Sequence, residues 1–269
     1  MRNPSKIGNQ LERVAHCANE VARTEPRMGE GERDEVNAAF NQPSDNSSFA
    51  SNCARLCDEQ ATLLLQAAGA HLHSIGVLLR HKRANLPPIS VLARASIEAC
   101  GRCMWLIDSE VQEVDRTNRA LKIAKTRMSW LEHVTDGAII KQDENRHLVP
   151  AIKSGRINED VPSNGEFLKI WSTVWDRGRH FNIDTEELNE LHDWVHSNEA
   201  AVAIYQMGVH KNLQLDSRLT LKAAALCALV VSSTTTELAG RRLAAHLEHE
   251  IQSGRDFSIE LYKTTHELL

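Results

Sequence analysis

The feature that most constrains the fold is a long segment, residues 217–251, that has helical periodicity and is apolar almost all round between Leu219 and Val231. A helix that is apolar on every side has to be surrounded by other helices or by lipid. Its longest apolar run, from Ala223 to Val231, covers only about half of the ~20 residues that a bilayer-spanning helix needs. We therefore expect the central helix of a helical bundle and no membrane partner.

The rest of the sequence predicts more helices and no strands. Apolar residues recur at three- and four-residue steps, no segment alternates as a strand does, and aromatic residues make up only 4% of the chain. The sequence predicts an all-α protein, a bundle of seven or eight helices with a short N-terminal helical extension. The predicted helices cover residues 5–23, 49–84, 88–108, 110–136 and 217–251, with others beginning after Ser163, after Asp184 and at Ser258. Ser109 and Gln112 have the spacing of a capping box for the fourth of these helices.

Breaks in this pattern divide the chain. Residues 24–52 contain prolines, glycines and a polar run, which is typical of a loop or linker. We therefore predict an N-terminal helix and flexible linker over residues 1–47 and a helical bundle domain over residues 48–269. A second polar, aperiodic segment, residues 141–162, is predicted to be a surface loop.

Charge and cysteine usage limit the classes of function. The net charge of -5 and the pI near 6.2 argue against a protein that coats nucleic acid or anionic lipid through its overall charge. The first twenty residues lack the apolar core of a signal peptide, and the six cysteines fall within predicted helices. These features favour a reducing cytoplasm.

No glycine-rich phosphate loop, nucleophile elbow or dinucleotide-binding motif is present, so we expect no cofactor.

The helix predicted over residues 88–108 carries three charges on one otherwise apolar face. Arg94, Glu98 and Arg102 are spaced by four residues, which places them in one row along the helix. Burying a charge without a partner costs several kcal/mol, so each of the three needs one. Two interpretations follow: a buried ion network that fixes how the helices pack, or a cavity that binds a ligand or carries out catalysis.

Two histidines lie one turn apart in the helix predicted after Asp184. His192 and His196 have the spacing of a pair of metal ligands. The segment lacks the glutamate that zinc hydrolases place between their two histidines. We therefore expect no metal, and histidines whose hydrogen bonds are satisfied within the protein.

Cysteine pairs occur at two places. Cys100 and Cys103 have the spacing of a redox dithiol, but they lie in the middle of a predicted helix, away from the N-terminus that would lower a thiol pKa. We interpret them as packing residues. Cys53 and Cys57 are also one turn apart, and a four-cysteine zinc site made from both pairs is the alternative.

A row of basic residues follows Ser109 in the sequence. Its members are Arg116, Arg119, Lys122, Lys125 and Arg127. Acidic residues flank the row and no aromatic residues interleave it, which is typical of a solvated helix face. The alternative is a surface that contacts phosphates.

A block of the sequence resembles a known family. Residues 63–108 include Pro87-Pro88, the pair Arg94 and Glu98, and the ending Trp105-Leu106-Ile107-Asp108. This block is similar to that of a family of uncharacterised actinobacterial helical proteins, which have an Arg-x-x-x-Glu pair followed by a Trp-Leu-Leu-Asp-like ending. The family also has a later Leu-Ser-x-x-x-His-Gly segment, which residues 188–197 match through Leu191 and His196. In this chain His192 stands where the family usually has serine and Ser197 where it usually has glycine. The resemblance implies a helical fold, a bacterial source and no established activity.

The helical layout also resembles, more loosely, that of HEPN domains (higher eukaryote and prokaryote nucleotide-binding), many of which are RNases of toxin and defence systems. Those RNases carry an arginine followed by a histidine after four to six residues. Arg241 with His246, Arg242 with His249, and Arg127 with His133 have this spacing.

The sequence is consistent with two functions. The first is a HEPN-like domain that cleaves RNA or binds nucleotides, with Arg94, Glu98 and His196 lining the pocket. In it His196 would be the general acid or base and Arg94 would hold the phosphate. The alternative is a non-catalytic module for protein interaction or oligomerisation, including a homo-oligomer, in which the same charges are structural.

Overall fold

The computed structural model describes residues 3–25, 30–40, 47–81, 86–123, 213–242 and 244–266. These residues form α1 (Pro4–Arg23), α2 (Glu30–Ala39), α3 (Ser47–Arg80), α4 (Leu86–Ile107), α5 (113–123), α6 (Leu213–Gly240), a 3-10 turn (Ala245–Leu247) and α7 (Glu248–His266). No strand occurs in these ranges, so the predicted all-α bundle is confirmed. The helices predicted after Ser163 and Asp184, and the loop predicted over 141–162, lie outside the described residues.

Helix α1 packs closely along α3. Asn3 accepts a hydrogen bond from the Ser5 N–H at 3.0 Å and so caps the start of α1, and Pro4 occupies the first turn. The two helices run antiparallel, since Gly8 lies against Gly76 while Ala22, near the end of α1, accepts a hydrogen bond from the Thr62 hydroxyl at 3.2 Å. The apolar side of α1 thereby joins the same core as α3, α4 and α6.

Helices α4 and α6 complete the centre of the bundle. Helix α4 runs antiparallel to α3, where the Ser96 hydroxyl donates to the Ala68 carbonyl at 2.9 Å and the Cys103 thiol donates to the Ala61 carbonyl at 3.6 Å. Helix α6 runs in the same direction as α4, because Ser96 meets Cys227 and Cys100 meets Thr234 further along both helices.

Helix α6 is the buried helix that the sequence predicts. All residues from Ala223 to Val231 are buried, and so are the four hydroxyl residues after them, Ser232 to Thr235. The hydroxyls donate to backbone carbonyls three or four residues earlier in α6 itself, for example Thr235 to Val231 at 2.7 Å. These hydroxyls are therefore satisfied within α6 although they lie in the core.

Two described helices are long and apolar enough to cross a membrane when judged by length and composition. They cover Cys53–Arg80 of α3 and Ser217–Gly240 of α6. In α6 83% of the most apolar window is buried inside the protein, as in the core helix of a soluble protein, whereas in α3 the share is 39%. Such helices carry little weight by themselves, and cytoplasmic location stays a prediction.

The segment expected to be a loop contains a short helix. Helix α2 lies within residues 24–52, and Val36 and Asn37 are buried. Among residues 31–39 only the neighbouring positions 36 and 37 are buried, so the sequence of α2 shows no apolar row that would predict a helix. The division of the chain into residues 1–47 and 48–269 stays a prediction.

The predicted capping box at Ser109 is wrong. Residues 109–112 form a turn, and α5 begins at residue 113. The Asp108 carboxylate accepts a hydrogen bond from the Glu110 N–H at 3.1 Å, a local contact that favours a turn over a helix.

The predicted boundary between the last two helices is also wrong. Helix α6 ends at Gly240 rather than near residue 251, and Ser258, predicted to begin the last helix, lies inside α7. The chain leaves the helical path because Arg241 and Arg242 turn inward to backbone carbonyls of earlier helices. Within α7 the Ser258 hydroxyl donates to the Gly254 carbonyl at 2.8 Å, four residues earlier.

Candidate functional site

Arg94 and Glu98 form the ion pair that their spacing predicts. The Arg94 Nε donates to the Glu98 carboxylate at 2.8 Å on α4. Arg94 is buried, with 7% of its surface exposed, whereas 18% of the Glu98 side chain is exposed. The third member of the row, Arg102, is half-buried one turn further along and also has a bonding partner. The pair is therefore desolvated on the arginine side and open to solvent on the carboxylate side.

His196, the predicted general acid or base, and His192 lie outside the described residues, so their approach to this pair stays a prediction. Glu98 and Arg94 are the two described members of the proposed catalytic pocket. Among the residues that the structure describes, no group of three histidine, cysteine or acidic side chains is arranged to hold a metal ion.

The cysteines of α3 and α4 face the core. Cys53, Cys57, Cys100 and Cys103 are fully buried and unbridged. Burial raises the pKa of Cys103 to about 12 and that of Cys100 well above its ordinary value, which disfavours the thiolate that redox chemistry and metal binding need. Their environment is that of packing residues.

The basic row after Ser109 turns inward, so its prediction as a solvated face is wrong for the members that the structure describes. Arg116 and Lys122 are buried. Arg116 donates to the Leu106 carbonyl at 2.8 Å, pairs with Glu113 and contacts the Cys57 sulfur at 3.5 Å.

Arg119 of the same row contacts the end of α4. It donates to the Trp105 carbonyl at 2.6 Å and lies over the Trp105 ring, 5.1 Å from its centroid. Both Arg116 and Arg119 thus bind carbonyls in the last turn of α4, which have no partners within that helix. Lys125 and Arg127 lie outside the described residues.

Arg242 connects the segment after α6 to the end of α1 and to α3. No sequence pattern predicts these contacts. Its guanidinium donates to the carbonyls of Ala22 at 2.7 Å and Thr24 at 3.1 Å, at the end of α1. It also donates to the Asp58 carbonyl at 3.1 Å and the Thr62 hydroxyl at 2.8 Å, both on α3. Arg242 has only 6% of its surface exposed. Cations near a helix C-terminus are a known signal, but here the cation comes from a distant part of the chain.

The arginines of the two arginine–histidine spacings near the end of α6 donate to backbone carbonyls. Arg241 donates to the Asp108 carbonyl at 3.0 Å, and Arg242 makes the contacts just described. Their partners by spacing, His246 and His249, are exposed. The third pairing, Arg127 with His133, lies outside the described residues.

An open groove is lined by residues of α1, α3, the 3-10 turn and α7, and we call it the α1–α7 groove. Its volume is about 1360 Å³. Ala70 of α3 and Gly254 of α7 contribute small surfaces to it, whereas Val14 and Ala15 of α1 line it with almost no exposed surface. Charged and imidazole side chains also line it: Glu12, Arg13, His16, Glu20, His73, His249 and Glu250. No sequence pattern predicts this groove, because its residues come from three distant segments.

Comparison with known proteins finds no similar sequence or structure. Neither family models, nor curated proteins, nor solved structures match this chain. The resemblances to the actinobacterial helical family and to HEPN domains remain predictions from the sequence.

Proposed function

We propose that this protein is a non-catalytic helical module that binds another protein through the α1–α7 groove. The groove is the single observation that carries this proposal. It is lined by residues of three helices and of the 3-10 turn, and its exposed side chains are mostly charged, imidazole and amide groups. Grooves between helices are common sites of recognition between helical proteins.

The use of the interior charges supports this proposal. Arg116, Arg119 and Arg242, which could have contacted phosphates, donate instead to backbone carbonyls of α1, α3 and α4. Arg94 binds Glu98 on its own helix. In this proposal these charges hold the helices in register and the outer surface carries the function. A homo-oligomer is one form that such a module can take.

The Arg94–Glu98 pair provides the test between a structural and a catalytic role. We expect Arg94→Met and Glu98→Gln each to lower the free energy of unfolding by about 2 kcal/mol, because either change removes a charge-assisted hydrogen bond that is largely shielded from water. Urea unfolding followed by circular dichroism measures this effect.

Glu59→Gln on α3 is the matched control. Glu59 pairs with Arg55 at the same four-residue spacing, at 3.5 Å, but both side chains are more than half exposed. We expect this change to cost roughly 0.5 kcal/mol or less. If Arg94→Met and Glu98→Gln are as mild as this control, the structural role is wrong.

A HEPN-like ribonuclease is the second candidate, and the partial exposure of Glu98 favours it. A carboxylate that bonds a buried arginine and still meets solvent could contact a ligand. In this candidate Arg94 holds the phosphate, Glu98 orients Arg94, and His196 transfers the proton.

Cleavage of cellular RNA by the purified full chain tests this candidate. We expect, if it holds, that His196→Ala lowers the cleavage rate at least ~100-fold, in line with the usual contribution of a general acid or base. His192→Ala, one turn away, is the control and should cleave at the wild-type rate. Equal cleavage by wild type and His196→Ala, or none by either, rejects the ribonuclease.

A further inference from the structure

One side of α3 carries an apolar stripe that is open to solvent. We call it the α3 stripe, and it consists of Leu56, Leu63, Ala67, Ala70, Ser74 and Val77. Four of these residues recur at intervals of seven, which places them in one row along the helix. Leu63 is 50% exposed, Ala67 and Ala70 are exposed, and the others are half-buried. Contiguous exposed apolar surface of this kind commonly marks a site of protein association.

The sizes of its side chains make the α3 stripe complementary to a reversed copy of itself. Leu56 and Leu63 lie in the first half of the stripe, whereas the shorter side chains of Ala70 and Val77 lie in the second half. A second α3 that runs in the opposite direction brings Leu63 against Ala70, and Leu56 against Val77. Large residues that face small ones allow two helices to interdigitate. A two-fold symmetric interface requires this kind of self-complementarity.

The charges beside the α3 stripe fit the same arrangement. Glu59 and His73 lie on one flank of the stripe, seven residues to either side of its centre near residue 66. Both are exposed. In an antiparallel pair of α3 helices Glu59 lies beside the partner's His73, and the contact occurs twice. In a parallel pair Glu59 would lie beside the partner's Glu59, and like charges repel.

The size of the α3 stripe predicts a weak dimer. Residues 56–77 extend about 32 Å along a helix about 10 Å wide, which gives a footprint of roughly 300 Å² per copy. Stable protein complexes bury about 800 Å² per partner. We therefore expect an association that depends on protein concentration.

We propose that a second copy of this chain binds the α3 stripe, with the two α3 helices antiparallel and related by a two-fold axis near residues 66 and 67. This interface goes beyond the proposed function, because it is a contact of the chain with itself on a different surface. It meets the α1–α7 groove at the edge formed by Ala70, His73 and Ser74.

Sedimentation equilibrium of the full chain tests the inference. We expect a monomer–dimer equilibrium with a dissociation constant on the order of 100 μM. Leu63→Glu should weaken dimerisation at least ~tenfold, because each copy then places an unpaired carboxylate in the contact. Val91→Glu on α4 is the matched control, since Val91 is 49% exposed and lies outside the stripe, and it should dimerise like the wild type. Circular dichroism should show unchanged helix content in both variants, because each replaced side chain is half exposed.

A crosslink tests the direction of the two helices. All six native cysteines are buried, so a cysteine introduced on the surface is the reactive thiol. Ala67→Cys, next to the two-fold axis, should give a covalent dimer with a short bismaleimide crosslinker. Arg55→Cys should not, because the two copies of residue 55 would lie about 35 Å apart.

Three results would each overturn the inference. They are a monomer alone at about 500 μM, several times the expected dissociation constant, equal dimerisation of Leu63→Glu and Val91→Glu, and equal crosslinking of Ala67→Cys and Arg55→Cys. The substituted residues all lie outside the α1–α7 groove. These results are therefore independent of the unfolding of Arg94→Met and Glu98→Gln and of RNA cleavage, which test the proposed function itself.

Discussion

Gly8→Ala is expected to lower the free energy of unfolding by about 3 kcal/mol or more, which corresponds to a fall in Tm of roughly 10 °C. A Cβ atom on Gly8 would stand 2.4 Å from the Gly76 carbonyl oxygen and 2.9 Å from the Arg80 backbone nitrogen. Both are backbone atoms of α3, so neither can rotate away. The added methyl group can be accommodated only if α1 and α3 move apart, and thermal unfolding followed by circular dichroism measures the resulting loss.

Other glycines provide a graded series and a control. A Cβ on Gly76 would stand 2.8 Å from the Gly8 carbonyl, and one on Gly69 would stand 3.3 Å from the Ala15 carbonyl. The losses should therefore decrease in the order Gly8→Ala, Gly76→Ala, Gly69→Ala. A Cβ on Gly31, in α2, would have nothing within 4 Å, so Gly31→Ala should be neutral or stabilise by up to about 1 kcal/mol. A Gly8→Ala variant as stable as Gly31→Ala would contradict the close crossing of α1 and α3.

Arg242→Met is expected to cost about 3–5 kcal/mol, because several hydrogen bonds from a charged donor, each contributing about 1.5–3 kcal/mol, are lost together. Methionine keeps much of the side-chain length but donates no hydrogen bonds. The carbonyls of Ala22, Thr24 and Asp58 would each lose a charged donor in a site that water reaches poorly. Urea unfolding measures the loss, and protease cleavage near residue 24 should increase because the end of α1 is no longer held.

The neighbouring arginine is the control for this effect. Arg241 donates to the single carbonyl of Asp108 and is only half-buried, so Arg241→Met should cost about 1 kcal/mol. Arg242→Lys should be nearly as harmful as Arg242→Met, since an ammonium group cannot reach acceptors on two helices as the planar guanidinium does. Equal stability of Arg241→Met and Arg242→Met would show that the contacts of Arg242 are not important for stability.

The helices with strong local signals can be predicted from the sequence. Helix α1 is predicted over 5–23 and occupies Pro4–Arg23, because its apolar row is regular. Pro87 and Pro88 predict the boundary between α3 and α4 to within a few residues, since α3 ends at Arg80 and α4 begins at Leu86, with both prolines in its first turn. The burial of α6 between Ala223 and Val231 follows from a helix with no polar face in that part.

Other features cannot be predicted because they depend on contacts between distant segments. Arg116 and Arg119 point inward because they bind carbonyls at the end of α4. No pattern within α5 reveals these contacts. The end of α6 depends on Arg242 in the same way. The Arg94–Glu98 pair is predictable because both residues lie on one helix, whereas the α1–α7 groove is not, since its walls are more than two hundred residues apart in the chain.

The position of Arg242 also bears on the order in which the protein can fold during synthesis. Helix α1 leaves the ribosome before α3, which soon provides a surface for it, but the residue that binds the Ala22 carbonyl is made 220 residues later. Until then the end of α1 has those carbonyls exposed to water or to a chaperone. Contacts of such long sequence separation form late and slow the final step of folding. The nascent chain should therefore remain sensitive to proteases near residue 24 until translation has passed residue 242.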